Sequence, residues 1–120
     1  MDRQAVLDYA METYESSPEY LWKKYPRYAV LRHRDNGKWY AIIMNVPKNK
    51  LGLDGAEEID VMDLKCDPEA IGSLRMLKGI LPGYHMNKGS WISVMLDGSV
   101  DDGMLCSLLD RSFVLTGSRG

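Results

Sequence analysis

Two runs rich in β-branched and aromatic residues, 28–34 and 39–46, flank an Asp-Asn-Gly-Lys tetrapeptide at residues 35–38. An Asn-Gly step between two such runs strongly favours a β-hairpin, because both residues readily adopt the positive φ angles of the tight turn. In the second run both alternating sets of side chains are largely apolar, which indicates a strand that is covered on both faces. We therefore expect an antiparallel sheet that is built around this hairpin.

Three segments carry helix-start signals. Asp2 is placed to cap a helix over about residues 3–15. In the middle of the chain, Asp67 precedes a proline and a glutamate, which predicts an N-cap and a helix that runs to about residue 78. Ser99 begins a sequence similar to a capping box, which predicts the start of the final helix.

Two more β-rich runs, 59–65 and 91–96, complete the pattern. A short additional strand is a further option at residues 84–86, and a proline predicts a single helical turn at residues 18–22. The order α-β-β-β-α-β-α predicts the α+β class, with an antiparallel sheet of four to six strands covered by N- and C-terminal helices. All 120 residues are expected to form a single domain.

The composition excludes several classes of protein. Apolar residues make up 45% of the chain and charged residues 27%, which is typical of a globular domain. No apolar run approaches the roughly 20 residues of a membrane span, and the N-terminus lacks the regions of a signal peptide. Cys66 and Cys106 form no C-x-x-C pair, so both are expected to be reduced thiols of a cytoplasmic protein.

Motifs of catalysis and cofactor binding are missing from the sequence. His33 and His85 lie far apart and belong to no cluster of metal ligands. Neither a P-loop nor a dinucleotide-binding glycine motif is present. We therefore predict a non-enzymatic protein without metal or cofactor, in which His33 faces solvent and Cys106 is a small buried thiol.

Charge and aromatic residues are unevenly distributed. Residues 22–50 hold eight basic residues and one acidic residue, whereas residues 51–69 hold seven acidic residues and one lysine. Six of the eleven aromatic residues fall within residues 20–40. Single-stranded nucleic acid is bound by such mixtures, because the charges follow the phosphates while the rings stack on bases. The candidate nucleic-acid-binding residues are Lys23, Lys24, Arg27, Arg32, Arg34 and Lys38.

A structural interpretation of the same residues stays open. Trp and Tyr in strands usually belong to the core or to cross-strand pairs, and oppositely charged segments can neutralise each other across neighbouring strands. A continuous basic stripe on the surface would favour DNA or single-stranded nucleic acid as the partner.

Residues 82–89, Pro-Gly-Tyr-His-Met-Asn-Lys-Gly, carry more polar side chains than a turn needs. His85, Asn87 and Lys88 are the candidate residues of an alternative site, which binds a small anionic ligand or a protein partner. A closed pocket at His85 would favour this site. The other interpretation is structural, with Asn87 in a left-handed turn position or bonded from its side chain to the backbone.

Five segments between about residues 18 and 116 form an ordered set of motifs. They are Asn36-Gly37-Lys38-Trp39-Tyr40, Asp63-Leu64-Lys65-Cys66-Asp67-Pro68-Glu69, Pro82-Gly83-Tyr84-His85-Met86-Asn87-Lys88, Trp91-Ile92-Ser93-Val94 and Ser112-Phe113. On these segments the chain resembles the MmcQ/YjbR-like family of small bacterial proteins. Ser90 stands where that family commonly has a histidine.

The resemblance implies a fold similar to that of the CyaY/frataxin group. It also implies DNA binding, since members of the family commonly carry that label, although a fold alone does not determine a function. Metal binding by carboxylates of the first helix, as in frataxin, is a weaker third hypothesis. We expect a monomer.

Overall fold

A five-stranded antiparallel sheet forms the centre of the fold. The structure is a computed structural model that describes residues 1–117. The strands are β1 (Ala29–Arg32), β2 (Trp39–Pro47), β3 (Glu58–Lys65), β4 (Ile80–Pro82) and β5 (Trp91–Met95), in the spatial order β1-β2-β3-β5-β4. Every neighbouring pair is antiparallel, which confirms the predicted hairpin and the α+β class.

The helices pack on one face of this sheet. They are α1 (Arg3–Tyr14), α2 (Ile71–Leu74) and α3 (Asp102–Thr116), and two 3₁₀ turns lie at Lys48–Leu51 and Pro68–Ala70. Asp2 caps α1 as predicted, since its Oδ1 accepts a 2.9 Å hydrogen bond from the Ala5 backbone N–H. All three α-helices contribute to one buried apolar cluster with the sheet, and a second cluster on the opposite face consists of residues from strands, loops and the first 3₁₀ turn. We call this opposite side the helix-free face.

The middle helix is much shorter than predicted, because α2 ends at Leu74. The side chains that follow are exposed, Met76 most of all at 86%. A longer helix would bury no apolar face there, and short helices depend on such burial for their stability. The chain instead turns at Gly79, whose φ is 89°, and enters β4, which takes the place of the strand predicted at residues 84–86.

Two helix caps also differ from the prediction. Asp67 makes no cap bond, because its carboxylate accepts two hydrogen bonds of 2.9 and 3.0 Å from the Arg111 guanidinium of α3. Such paired, charge-assisted bonds are stronger than a bond to a neutral backbone N–H. The N-cap of α3 is Asp101, whose Oδ1 accepts a 2.8 Å hydrogen bond from the Met104 N–H. The predicted helix start at Ser99 is therefore wrong.

Residues 18–22 form no helical turn, contrary to the prediction. Glu19 and Val30 exchange two backbone hydrogen bonds, each of 2.9 Å, so this segment bridges to the edge strand β1. The unpaired backbone groups of an edge strand favour such pairing. The chain continues from the bridge to the helix-free face, where Trp22 packs against Trp39.

Buried hydrogen bonds join the end of α3 to the sheet. Ser112 Oγ donates to the Tyr40 carbonyl at 2.6 Å and accepts from the Lys65 N–H at 2.9 Å. These two groups lie where the pairing of β2 with β3 ends, so the serine connects the strands at that point. In the hairpin turn, Asn36 Nδ2 donates to the Thr116 carbonyl at 3.0 Å. The Asn36 and Ser112 motifs of the sequence therefore have structural roles.

His33 is buried, so the expectation that it faces solvent is wrong. Its side chain is 7% exposed, and its Nε2 lies 2.9 Å from Thr116 Oγ1. The ring of Phe113 covers it at a centroid distance of 4.2 Å. The neighbours Arg32 and Arg34 suggested a solvated position, but alternation along the strand places His33 on the same face as Ala29 and Leu31, which the helices cover.

Candidate ligand-binding cleft

A row of paired residues crosses four strands on the helix-free face. Val30 of β1 pairs with Ile42 of β2, Ile42 pairs with Asp63 of β3, and Asp63 pairs with Ser93 of β5. Directly paired residues of an antiparallel sheet share a face. Val30 and Ile42 belong to the apolar cluster of the helix-free face, so Asp63 and Ser93 lie on that face as well.

Aromatic side chains surround this row and form a cleft of about 980 Å³. They come from the segment before β1, from β2 and from the loop after β4, and they are Trp22, Tyr25, Tyr28, Trp39, Tyr84 and His85. Trp22 stands at 86° to Trp39, with ring centroids 5.7 Å apart, and at 75° to Tyr28, at 5.8 Å. This edge-to-face packing holds the rings of the wall in place.

Asp63 lies at the floor of the cleft and is fully buried. Its Oδ1 accepts a hydrogen bond from the Ser93 hydroxyl, and Ser93 Oγ accepts one of 2.9 Å from the Tyr84 backbone N–H. Its Oδ2 has no hydrogen-bond partner among residues 1–117. Burial raises the pKa of Asp63 to about 7, although the Ser93 hydroxyl, the Tyr84 backbone N–H and the Lys88 ammonium act in the opposite direction. A carboxyl that titrates near neutrality inside a cleft is typical of functional sites.

Sequence reasoning missed Asp63 as a site residue. Asp63 and Lys65 are two residues apart, so they share one face of the predicted strand. Two charged residues on one face are usual for a strand face that is exposed to solvent. The available signal was Ser93, a second polar residue inside an otherwise apolar strand. That the two residues are partners became evident only from the pairing of β3 with β5.

The three candidate residues of the loop lie in different surroundings. His85 lines the cleft and adopts a φ of 60°. Asn87 Oδ1 accepts a 2.8 Å hydrogen bond from the Gly89 N–H, so the predicted side-chain-to-backbone bond is present, while the left-handed position belongs to His85. Lys88 Nζ donates to the Gly83 carbonyl at 3.0 Å. Of the three, His85 belongs to the cleft wall, and the other two shape the loop.

We expect Asn87→Ala to lower the melting temperature by about 4 °C, because the loss of one such hydrogen bond costs about 1 kcal/mol. Thermal unfolding followed by circular dichroism measures the effect. Asn49→Ala is the matched control, since Asn49 is exposed on a 3₁₀ turn and its side chain makes no hydrogen bond within residues 1–117. Equal melting temperatures of the two variants would contradict a structural role of Asn87.

The structure divides the six basic candidates between separate places. Lys24 lines the aromatic cleft, where Lys50 of the first 3₁₀ turn joins it. Arg32 and Arg34 line a second hollow beside the end of α1 and the hairpin turn, and Arg32 binds the Glu19 carboxylate at 2.6 and 2.7 Å. The remaining three are exposed and line neither hollow: Lys23, Arg27 and Lys38.

Acidic and basic segments also neutralise each other in part. Arg3 of α1 donates to the Asp60 carboxylate at 3.0 and 3.2 Å, and a guanidinium nitrogen of Arg27 lies 3.9 Å from the same group. Lys48 pairs with Glu57 at 2.9 Å. The charge segregation of the sequence therefore does not translate into two fully separate surfaces.

No helix within residues 1–117 is long and apolar enough to cross a membrane. In the same part of the chain, no three His, Cys, Asp or Glu side chains converge as a metal site requires. The two cysteines are unpaired. Cys106 is partly exposed and not buried as predicted, because it lies at the edge of the contact between α3 and the N-terminus, 3.7 Å from the Met1 sulfur.

The fold and the cleft define a class of protein. It is a small α+β domain with helices on one face of an antiparallel sheet and an aromatic cleft with a buried carboxyl on the other. The chain belongs to the YjbR family, because the family model described as YjbR matches residues 11–115. This confirms the resemblance found in the sequence.

One curated protein and two solved structures illustrate what this chain is similar to. The Bacillus subtilis (strain 168) protein named "Uncharacterized protein YyaQ" is 49% identical over 116 residues, which are 97% of this chain and 98% of that protein. A crystal structure of a Pseudomonas syringae protein is 49% identical and has a TM-score of 0.95, over 98% of this chain and 100% of that one. A crystal structure of the Deinococcus radiodurans protein DR2400 is 26% identical and has a TM-score of 0.72, over 95% and 77% of the two chains.

Proposed function

We propose that the cleft binds a nucleotide, either free or as part of a single strand. The base lies between the aromatic walls, and the phosphate contacts Lys24 and Lys50. The observation that carries this proposal is the presence, in one cleft, of five Trp and Tyr rings, an imidazole and two exposed lysines.

The walls suit a flat ring. Stacking of a base on an aromatic side chain contributes roughly 1–3 kcal/mol to the binding free energy, and every base can stack in this way. Trp22, Tyr28, Trp39 and Tyr84 are partly exposed, so part of each side chain is open to a ligand. The volume of about 980 Å³ lies at the upper end of the range for small-molecule sites.

The two lysines supply the charge for the phosphate. Within residues 1–117 neither Lys24 nor Lys50 lies within ion-pair distance of a carboxylate, whereas the neighbouring Lys48 is paired with Glu57. The Lys24 ammonium lies 5.9 Å from the centroid of the Tyr25 ring, a contact that leaves its N–H donors available for an anion. His85 lies on the same cleft, so the loop that the sequence indicated for an anionic ligand and the aromatic segment indicated for nucleic acid meet in one place.

The number of phosphate contacts separates this proposal from binding of an extended strand along all six basic candidates. For a single strand, the slope of log K against log salt is about −0.7 per phosphate contact. Two contacts give a slope of roughly −1.4, and six give roughly −4. A steep slope would favour the extended strand as the ligand.

Nuclear magnetic resonance of the indole N–H groups tests the proposal directly. Trp22 and Trp39 line the cleft, and Trp91 lies buried in the same apolar cluster as an internal reference. We expect nucleoside monophosphates to shift the Trp22 and Trp39 signals saturably, and ribose 5-phosphate, which has no base, to leave them unchanged. A single-stranded oligonucleotide and a duplex distinguish a free nucleotide from a strand. No saturable shift with millimolar nucleotide would contradict the proposal.

We expect Lys24→Glu to weaken nucleotide binding about tenfold, because the variant loses a charge-assisted hydrogen bond and places a negative charge beside the phosphate. Isothermal titration calorimetry measures the change. Lys23→Glu is the matched control, since it alters net charge equally on an adjacent exposed residue that does not line the cleft. Equal weakening by both variants would show a non-specific effect of charge and not a contact at Lys24.

Three further predictions accompany this function. The reduced cysteines favour a cytoplasmic location, the protein is expected to act as a monomer, and the resemblance implies a fold similar to that of the CyaY group. Size-exclusion chromatography with light scattering checks the oligomeric state.

A further inference from the structure

We propose that the cleft selects ribonucleotides over deoxyribonucleotides, with the Glu58 carboxylate accepting hydrogen bonds from the ribose hydroxyls. This inference rests on the proposed function, since it names the sugar of the nucleotide that the cleft holds. Glu58 is the first residue of β3 and lines the cleft. It is exposed, so a ligand in the cleft can reach it.

Glu58 lies at the end of the cleft where the phosphate is expected. It pairs with Pro47, the last residue of β2, which also lines the cleft. The 3₁₀ turn that carries Lys50 begins at the residue after Pro47. In a nucleotide the sugar joins the base to the phosphate. With the base on the aromatic walls and the phosphate at Lys50, the ribose is the part of the ligand that comes closest to Glu58.

The charge of Glu58 also acts on the aromatic wall. Burial raises the pKa of Tyr28, and four neighbouring groups add to the effect: Tyr84, Tyr25, Glu58 and Asp63. Coulomb interactions weaken with distance, so the Glu58 carboxylate lies near the Tyr28 hydroxyl. It therefore neighbours both a ring of the wall and the turn that holds the phosphate, as a residue that contacts the sugar must.

Asn45 of β2 orients this carboxylate. Its Nδ2 donates a 3.1 Å hydrogen bond to Glu58 Oε1, which occupies one of about four acceptor sites on the two oxygens. Within residues 1–117 no basic group lies within ion-pair distance of Glu58. In the same part of the chain, Asn45 Oδ1 is buried without a hydrogen-bond partner. Because an unpaired buried acceptor is unfavourable, orientation of Glu58 explains this amide better than stability does.

A carboxylate beside a phosphate site needs donors that offset its charge. Like charges repel, so Glu58 weakens the binding of a phosphate unless the same ligand supplies donors to it. The 2′ and 3′ hydroxyls of ribose are neighbouring donors on one side of the sugar, so one carboxylate can accept both. Bonds to an ionised acceptor are stronger than bonds between neutral groups, and acidic residues bind ribose hydroxyls in dinucleotide-binding folds. Ribose therefore matches this end of the cleft.

The test compares AMP with 2′,3′-dideoxy-AMP, which has the same base and phosphate but neither hydroxyl. By isothermal titration calorimetry we expect AMP to bind the wild type about tenfold more tightly, because the hydroxyls bond to a charged acceptor. 2′-Deoxy-AMP, which keeps the 3′ hydroxyl, should bind with intermediate affinity. The ratio of the AMP and dideoxy-AMP affinities cancels any change that affects the base or the phosphate alone.

Glu58→Ala gives the second arm of the test. We expect it to bring this ratio to about one and to bind dideoxy-AMP no less tightly than the wild type, because a like charge beside the phosphate is gone. Asn45→Ala should lower the ratio in part, whereas a merely structural role of Asn45 would leave the ratio unchanged. Glu57→Ala is the matched control, since Glu57 is adjacent and exposed but does not line the cleft, and it should retain the ratio.

Oligonucleotides distinguish a strand from a free nucleotide as the source of the ribose. Oligo(A) and oligo(dA) of equal length differ only in their 2′ hydroxyls. A preference for oligo(A) that is lost in Glu58→Ala identifies single-stranded RNA as the ligand, and a preference shown by AMP alone identifies the free ribonucleotide.

The possible results separate this inference from the function on which it rests. Equal affinities of the wild type for AMP and dideoxy-AMP, or a preference for AMP that persists in Glu58→Ala, overturn the selection of ribose and leave nucleotide binding intact. An equal loss of the preference in Glu57→Ala also overturns the assignment to Glu58. Binding of none of these nucleotides to the wild type overturns both the inference and the proposed function.

Discussion

At pH 8 we expect Asp63→Asn to raise the free energy of unfolding by about 2 kcal/mol over that of the wild type. The folded pKa of Asp63 is about 7, against an ordinary value of 3.8. Above pH 7 the folded protein holds a buried charge that the unfolded chain hydrates freely. Each pKa unit corresponds to about 1.4 kcal/mol, so this charge costs about 4 kcal/mol. The amide avoids it but leaves a buried N–H donor unpaired, which costs about 1–3 kcal/mol.

The gain should depend on pH in a defined direction. A group whose folded pKa is raised contributes stability that is present below its unfolded pKa and is lost as the pH rises through its folded pKa. The free energy of unfolding of the wild type should therefore fall between about pH 4 and pH 7. Asp63→Asn should not show this loss, because it has no carboxyl at this position. At pH 4 the variant should have no advantage. Urea unfolding at both pH values measures the difference, with Asp54→Asn as the exposed control. The same difference at pH 4 and pH 8 would contradict a raised pKa.

A carboxyl that destabilises the folded protein at neutral pH is consistent with a functional role. Asp63 belongs to the strand at the centre of the sheet, where an apolar residue would pack between Ile42 and Ser93 without such a penalty. Binding sites commonly retain groups of this kind at the expense of stability. If Asp63→Asn is more stable than the wild type at pH 8, the carboxyl is not retained for stability.

We expect Gly83→Ala to destabilise the protein by about 3 kcal/mol or more. A Cβ at this position would lie 2.9 Å from Trp91 Cβ and 3.0 Å from the Trp91 carbonyl oxygen. Since the contact involves the backbone of β5, a rotamer change cannot relieve it, and overpacking of this kind typically costs 1–3 kcal/mol. The Gly83 carbonyl also accepts the hydrogen bond of Lys88, so a displaced backbone would weaken the loop further.

The same substitution should abolish nucleotide binding, because Gly83 precedes Tyr84 and His85 of the cleft wall. Urea unfolding measures the first effect and calorimetry the second. Gly72→Ala is the matched control, since a Cβ there meets nothing within 4 Å and alanine favours the helix by up to about 1 kcal/mol. Unchanged stability of Gly83→Ala would show that β5 and the loop can separate without loss.

Local chemistry explains the parts of the fold that could be predicted. The Asn36-Gly37 turn determines a hairpin because of its own backbone preferences. Asp2 determines the start of α1 because the carboxylate reaches an N–H three residues away. Alternation of apolar residues over 39–46 indicated a strand covered on both faces, and β2 has neighbouring strands on both sides and buried residues on both faces. Each of these signals acts within a few residues.

The candidate site depended on contacts that no local pattern contains. α2 stops early because nothing covers Met76, and residues 18–22 are held by β1 instead of turning into a helix. Asp63 is buried where Ser93 pairs with it and the Tyr84 N–H bonds to that serine, 30 and 21 residues further along the chain than Asp63. The sequence alone determined the hairpin and the capped first helix, since these follow from short-range backbone preferences, and it predicted the antiparallel class of the sheet but not the pairing of β3 with β5. Tertiary structure alone decided that Lys24 and His85 share a cleft with a buried carboxyl, because burial and pKa depend on which distant segments meet.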